Sequence, residues 1–94
     1  MTKAEARQII DSMGLTEPQI KAARRAIVRA TTSEDIAITR GRGAEIVIAR
    51  SRAGHDGRQV FEDTVYSDGS KKVVQKAYDA AGNLVHFDPK GGSP

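Results

Sequence analysis

The spacing of apolar residues changes near residue 35, and this change constrains the fold of the 94-residue chain more than any other feature. Before it, apolar residues recur every three or four positions, as at Ala6, Ile10 and Met13, which is the spacing of an amphipathic helix. After it, apolar and polar residues alternate in short runs, which is typical of strands with one buried face. The sequence therefore predicts helices first and a sheet second.

Two helices are predicted in the first third of the chain. Thr2 and Glu5 have the spacing of a capping box, in which each side chain satisfies a free backbone N–H group of the other residue. Gly14 is suited to end this helix because glycine readily adopts the left-handed conformation found after helix ends. Thr16 then begins a second helix, with a proline in its first turn, which we expect to run to about Ala30.

Short alternating segments fill the rest of the chain. The predicted strands are residues 36–38, 44–52, 58–66, 71–78 and 84–87, and the turns between them are rich in glycine. We predict an α+β fold in which two N-terminal helices pack on one face of a four- to five-stranded antiparallel β-meander. Residues 1–90 are expected to form a single domain. Residues 91–94 are expected to be a disordered tail, because their Gly-Gly-Ser-Pro sequence offers nothing to pack.

The charge distribution points to a polyanionic partner. The net charge is +3, and Lys21, Arg24, Arg25 and Arg29 crowd the second helix. Clustered cations of this kind favour nucleic acid or an acidic protein as the partner. The residues predicted to bind nucleic acid are Arg24, Arg25, Arg50, Arg58 and Lys72.

Several classes of function are disfavoured by what the sequence lacks. It has no cysteine and only two histidines, so we expect neither a metal site nor another cofactor. No apolar run approaches the roughly 18 residues of a membrane-spanning helix, so the isolated domain is expected to bind no membrane.

The parity of the last strands predicts which side chains share a face. A three-residue loop at Ala80–Gly82 would place Asp79 opposite Asn83 and Lys76 opposite His86. Odd-numbered residues, Phe87 among them, would then face the core, and even-numbered residues would lie on the face away from the helices. The polar residues expected on that outer face are Glu62, Thr64, Tyr66, Lys72, Lys76, Tyr78 and His86.

This set of side chains is suited to metal-independent cleavage of RNA. Attack by a ribose 2′-hydroxyl on the adjacent phosphodiester requires a base, an acid and cations that stabilise the developing charge. His86 can act as acid or base, Glu62 as base and Lys76 as the cation, while Thr64 and Tyr78 bind phosphate or stack on bases. The sequence therefore predicts a ribonuclease. Because a solvated sheet face contains similar residue types, the alternative is a non-catalytic module that binds nucleic acid or protein and belongs to a larger surface or phage-borne protein.

Two resemblances extend this prediction. The stretch AYDAAGNLVHF resembles the Tyr-Asp repeat of Rhs-type surface proteins, which forms a β-hairpin. The order of elements, ending in a strand with a histidine, resembles the ribonuclease superfamily that joins barnase, EndoU, the colicin-type tRNases and RelE, known as the BECR superfamily. The ending VVQKAYDAAGNLVHFDPK is similar to C-terminal toxin domains of contact-dependent inhibition and other polymorphic toxin systems.

The resemblance to these toxins implies a biological role. It implies an RNase, often one that cuts tRNA, which acts in the cytoplasm of a target bacterium and is neutralised by a cognate immunity protein. It also implies delivery as the C-terminal part of a larger secreted protein. In barnase-like members a glutamate, an arginine and a late histidine are catalytic. The resemblance thus implies these roles for Glu62, for Arg50 or Arg58, and for His86.

Overall fold

The structure is a computed structural model that describes residues 1–93, and it contains two helices followed by five strands. The elements are α1 (Lys3–Ser12), α2 (Glu17–Val28), β1 (Asp35–Arg40), β2 (Ile46–Ala53), β3 (Gly57–Val65), β4 (Lys71–Asp79) and β5 (Leu84–Ser93). The strands form one antiparallel sheet in the order in which they occur along the chain. The α+β class and the predicted helix-on-meander arrangement are therefore confirmed. Within residues 1–93, neither helix is long and apolar enough to span a membrane.

Both helices begin at the predicted threonine caps. The Thr2 hydroxyl accepts a hydrogen bond from the Glu5 N–H at 3.1 Å, and the Glu5 carboxylate accepts one from the Thr2 N–H at 2.9 Å. The Thr16 hydroxyl accepts from the Gln19 N–H at 3.2 Å and donates to the Ser67 carbonyl at 2.5 Å. The second cap thus attaches the start of α2 to the turn between β3 and β4 as well as satisfying the helix end.

One face of the sheet is buried under the helices. Ile46 and Ile48 of β2 are fully buried and belong to one apolar cluster with residues of both helices. The remaining members of this cluster are Ala6, Ile10, Ala22, Ala23, Ala26, Ile27, Ala30, Ile36 and Val65. We call this face of the sheet the helix side. The opposite face, which neither helix covers, is the helix-free face.

The last hairpin has the predicted turn but a different register beyond it. The Asp79 N–H donates to the Asn83 carbonyl at 2.9 Å, and Gly82 has the left-handed φ of +87° that the three-residue loop needs. A β-bulge follows, because Tyr78 pairs with Leu84 but Ala77 pairs with His86. The extra residue, Val85, reverses the side on which residues 86–89 lie.

Because of this bulge, Lys76 does not pair with His86 as the sequence predicted. Lys76 lies opposite Phe87, and His86 lies opposite Ala77, so the lysine and the histidine are on different faces. The prediction was wrong because it assumed an unbroken ladder beyond the turn. Phe87, which was expected to face the core, lies on the helix-free face and is 54% exposed.

The end of β5 also differs from the prediction. Residues 91–93, which were expected to be disordered, belong to β5, where Gly91 pairs with Val73 and Ser93 pairs with Lys71. Backbone pairing with β4 needs no apolar side chain, which is why composition alone did not predict it. Pro94 lies outside the described residues.

A buried glutamine joins α2 to the sheet and provides a test of this packing. The Gln19 side chain is 1% exposed, and its amide donates to the carbonyls of Ala44 at 2.8 Å and Val65 at 3.1 Å.

We expect Gln19→Leu to lower the free energy of unfolding by about 1–3 kcal/mol, because a buried carbonyl loses its donor. Urea denaturation followed by circular dichroism measures this loss. Gln8→Leu, on the exposed surface of α1, is the matched control and should change stability by less than about 0.5 kcal/mol. Equal effects of the two substitutions would contradict this role of Gln19.

Candidate functional site

The structure divides the predicted site residues between the two faces of the sheet. The strand pairing places Glu62, Thr64, Lys72, Lys76, Tyr78 and Arg58 on the helix-free face. It places Arg50 and His86 on the helix side. Arg24 and Arg25 are exposed on α2, where the Arg24 guanidinium forms an ion pair with Asp11 at 2.7 Å. The predicted catalytic set therefore retains every member except His86 on one surface.

An ion pair lies at the centre of the helix-free face. The Lys76 ammonium is 2.7 Å from the Glu62 carboxylate, and the two side chains are 26% and 31% exposed. Lys76 lies opposite Val60, while Glu62 lies two residues further along β3, so the pair crosses diagonally between adjacent strands. The hydrogen bond to Glu62 raises the pKa of Lys76, against the opposing effect of burial. Lys76 is therefore held as a cation.

Polar and aromatic side chains flank this pair on both sides. Thr64 lies opposite Lys72, and Arg58 lies opposite Tyr78, so both pairs share the face with Glu62. Arg58 also donates to the Ser51 hydroxyl at 3.0 Å and lies 3.5 Å from the Asp35 carboxylate. The face thus combines a carboxylate, a phenol and three cations within a few residues of each other along adjacent strands.

Phe87 is an additional member of this face that the sequence did not predict. It lies opposite Lys76 and exposes an aromatic ring at the edge of the sheet. The bulge at Val85 places it there, so strict alternation applied to the sequence could not have found it. An exposed aromatic side chain beside cations is a surface on which a nucleic-acid base can stack.

A second charged cluster lies on the helix side, around a buried carboxylate. The Asp63 side chain is 0% exposed, and its oxygens lie 3.7 Å from the Arg29 guanidinium and 3.6 Å from the Arg50 guanidinium. Neither oxygen accepts a hydrogen bond from the described residues. Arg50 lies 5.1 Å from the centre of the Phe61 ring and donates to the Arg29 carbonyl at 3.4 Å. The cluster therefore joins the end of α2 to β2 and β3.

Lys71 adds a further cation to this cluster. It lies opposite the buried Val65, on the helix side of β4. Burial lowers the pKa of Lys71, and the positive charges of Arg29, Arg50 and Arg25 lower it further, against the opposing effect of Asp63. Asp63 and Lys71 were not predicted as site residues. The signal was present, because each is a charged residue at a core-facing position of its strand.

The charged side chains on both faces of the sheet are suited to binding anions. Residues 1–93 contain no group of three or more histidine or acidic side chains that could hold a metal ion. The helix-free face is suited to proton transfer at a phosphodiester, because it holds a carboxylate and a phenol beside cations. The helix-side cluster is suited to holding an anion.

Comparison of the chain with known protein families, curated proteins and solved structures finds no match.

The opposite environments of two lysines provide a direct test of the site geometry. We expect Lys76 to titrate above, and Lys71 below, the ordinary lysine pKa. Lys76 has a carboxylate partner, whereas Lys71 is partly buried and lies among cations. NMR titration of the lysine side-chain carbons measures both. Glu62→Gln should lower the pKa of Lys76 and leave that of Lys71 unchanged, because the faces are separate. A pKa of Lys76 that does not respond to Glu62→Gln would contradict the ion pair.

Proposed function

We propose that the domain binds RNA on the helix-free face and cleaves it without a metal ion, with Glu62 and Lys76 at the reaction centre. The observation that carries this proposal is the 2.7 Å ion pair between these side chains, on an uncovered sheet face. A carboxylate and a cation held at this distance can contact the 2′-hydroxyl and the phosphate of one nucleotide. The proposal does not include His86, which lies on the other face.

Glu62 acts as the general base in this reaction. Its carboxylate removes the proton of the 2′-hydroxyl, and the resulting oxygen attacks the adjacent phosphorus. Lys76, kept positively charged by its partner, binds a non-bridging phosphate oxygen and stabilises the negative charge that develops there. Incoming phosphate competes with Glu62 for the lysine, which leaves the carboxylate free to accept the proton.

Tyr78 is positioned to act as the general acid. It lies two residues from Lys76 on the same strand and face, a separation of about 7 Å along the backbone. Its phenol donates a proton to the leaving 5′-oxygen as the phosphorus–oxygen bond breaks, and the products are a 2′,3′-cyclic phosphate and a 5′-hydroxyl. Lys72 and Arg58 bind flanking phosphates, and Thr64 donates a hydrogen bond to one of them.

The biological role is proposed from the resemblance to the BECR ribonucleases and to polymorphic toxins. On this basis the domain is the toxic C-terminal part of a larger secreted protein, cuts RNA such as tRNA in the cytoplasm of a target bacterium, and is neutralised by an immunity protein. The exposed cations of α2, among them Arg24 and Arg25, favour an acidic or nucleic-acid partner but do not distinguish between these two.

Binding without cleavage is the second candidate function, and the cations of α2 favour it. Lys21, Arg24 and Arg25 are exposed on this helix, and Arg29 is exposed at its C-cap. A module of this kind would lose RNA affinity gradually as these residues are removed, and its affinity would fall steeply with salt. RNA bound by such a module would remain intact.

Cleavage of total tRNA in the presence of EDTA tests the proposed reaction. We expect the wild-type domain to produce discrete fragments that end in a 2′,3′-cyclic phosphate. Glu62→Gln and Lys76→Ala should each reduce the rate by about 10²-fold or more, because an acid–base group and a transition-state cation each contribute that much. Both variants should remain folded, since an ion pair of this exposure contributes at most about 1 kcal/mol.

The matched control is Asp88→Asn on β5. Asp88 forms a comparable ion pair with Lys90 at 2.5 Å, but it pairs with Gln75 on the helix side. The control variant and His86→Ala should cleave at close to the wild-type rate. Loss of cleavage in His86→Ala with full activity in Glu62→Gln would show that the helix side is catalytic. Intact RNA in every sample would favour binding alone.

A further inference from the structure

We propose that the cavity between α2 and the start of β4 is a phosphate-binding site, separate from the helix-free face. The cavity has a volume of about 220 Å³ and is lined by Ala22 and Arg25 of α2, by Arg29 at the C-cap of that helix, and by Gly69 and Lys71. Three of these five lining residues are cations, which come from two different parts of the fold. The site does not depend on the proposed ribonuclease reaction.

The cations of the cavity have unused hydrogen-bond donors. Among residues 1–90, the side chains of Arg25, Arg29 and Lys71 make no hydrogen bond, although each carries several N–H groups. Arg29 lies 3.7 Å from Asp63, which is an ion-pair distance longer than a hydrogen bond. A ligand with several acceptor oxygens can therefore bind all three side chains at once.

Positive charge exceeds negative charge around the cavity. Arg25, Arg29 and Lys71 line it, and Arg50 adds a further cation, paired with Asp63. Asp63 is the one carboxylate that forms ion pairs with this group in the described part of the chain. A single anion thus accompanies four cations, and a bound phosphate would reduce their mutual repulsion.

Asp63 acts as a support for the site rather than as a ligand. Its buried carboxylate lies between the guanidinium groups of Arg29 and Arg50 and does not line the cavity. This attraction holds Arg29 at the end of α2, so the arginine loses less side-chain freedom when a ligand binds. Burial lowers the pKa of Lys71, and the positive charges around it, that of Arg29 first, lower it further.

Phosphate fits this arrangement better than a carboxylate does. Two arginines and a lysine line the cavity, and they come from two separate elements, the α2 segment and β4. A tetrahedral phosphate offers acceptor oxygens in several directions, and arginine forms paired hydrogen bonds with it. The source of the phosphate is either the RNA backbone or a free phosphate compound.

Titration of the full chain with inorganic phosphate tests the site. Backbone amide signals of Ala22 and Gly69, which line the cavity without charge of their own, report binding by NMR. We expect saturable shifts at both residues in the wild-type protein. The double variant Arg25→Ala/Lys71→Ala should bind phosphate about tenfold or more weakly, because it loses charged hydrogen bonds. Arg29 is left in place so that Asp63 keeps both of its ion-pair partners.

Arg7→Ala is the matched control, because Arg7 is exposed on α1 and removing it changes the net charge without touching the cavity. It should bind phosphate as the wild type does.

A parallel measurement of RNA affinity identifies the source of the ligand. If the double variant also loses affinity for a short RNA, and phosphate competes with that RNA at Gly69, the site holds a backbone phosphate. If RNA affinity is unchanged, it holds a free phosphate compound.

Either outcome of the RNA measurement supports a phosphate site, whether or not the domain cleaves RNA. The proposal is overturned if phosphate causes no saturable shift at Ala22 and Gly69. It is also overturned if a folded double variant binds phosphate as tightly as Arg7→Ala does.

Discussion

Burial of Ile46 and Ile48 against the helices determines on which face of the sheet the side chains of β1 to β4 lie. The strands pair in sequence order, and directly opposed residues share a face, so the orientation of β2 is passed on from each strand to the next. Val65 of β3 is buried with these isoleucines, and Glu62 is consequently on the other side. Because a shift of one residue would exchange the two faces, core burial and the position of the polar pair depend on the same register.

The bulge at Val85 breaks this pattern at the candidate site. Because of the bulge, His86 lies on the helix side, and Phe87 lies opposite Lys76 on the helix-free face. The resulting surface combines a carboxylate, a phenol and cations with an exposed aromatic ring. In the proposed reaction, proton transfer depends on Glu62 and Tyr78, and the aromatic ring offers a stacking position for a base.

Local sequence signals predicted the helices and turns well, because caps and left-handed glycines act over a few residues. Thr2, Thr16 and Gly82 have the roles expected from their neighbours in sequence. The bulge could not be predicted, because it depends on how β5 pairs with β4 and not on any local residue preference. Local sequence patterns also could not predict the ion pairs of Asp63, because its partners, Arg29 and Arg50, come from distant segments of the chain.

Side-chain methyl groups test most directly whether RNA binds the helix-free face, because they distinguish the two faces of the sheet. Val60 and Val74 lie on the helix-free face beside the ion pair, whereas Ala77 lies on the helix side. An RNA with 2′-O-methyl groups cannot be cleaved by its own 2′-oxygen, so it can be added during an NMR titration. We expect it to shift the methyl signals of Val60 and Val74 and to leave that of Ala77 in place. Shifts at Ala77 with none at Val60 and Val74 would contradict the account.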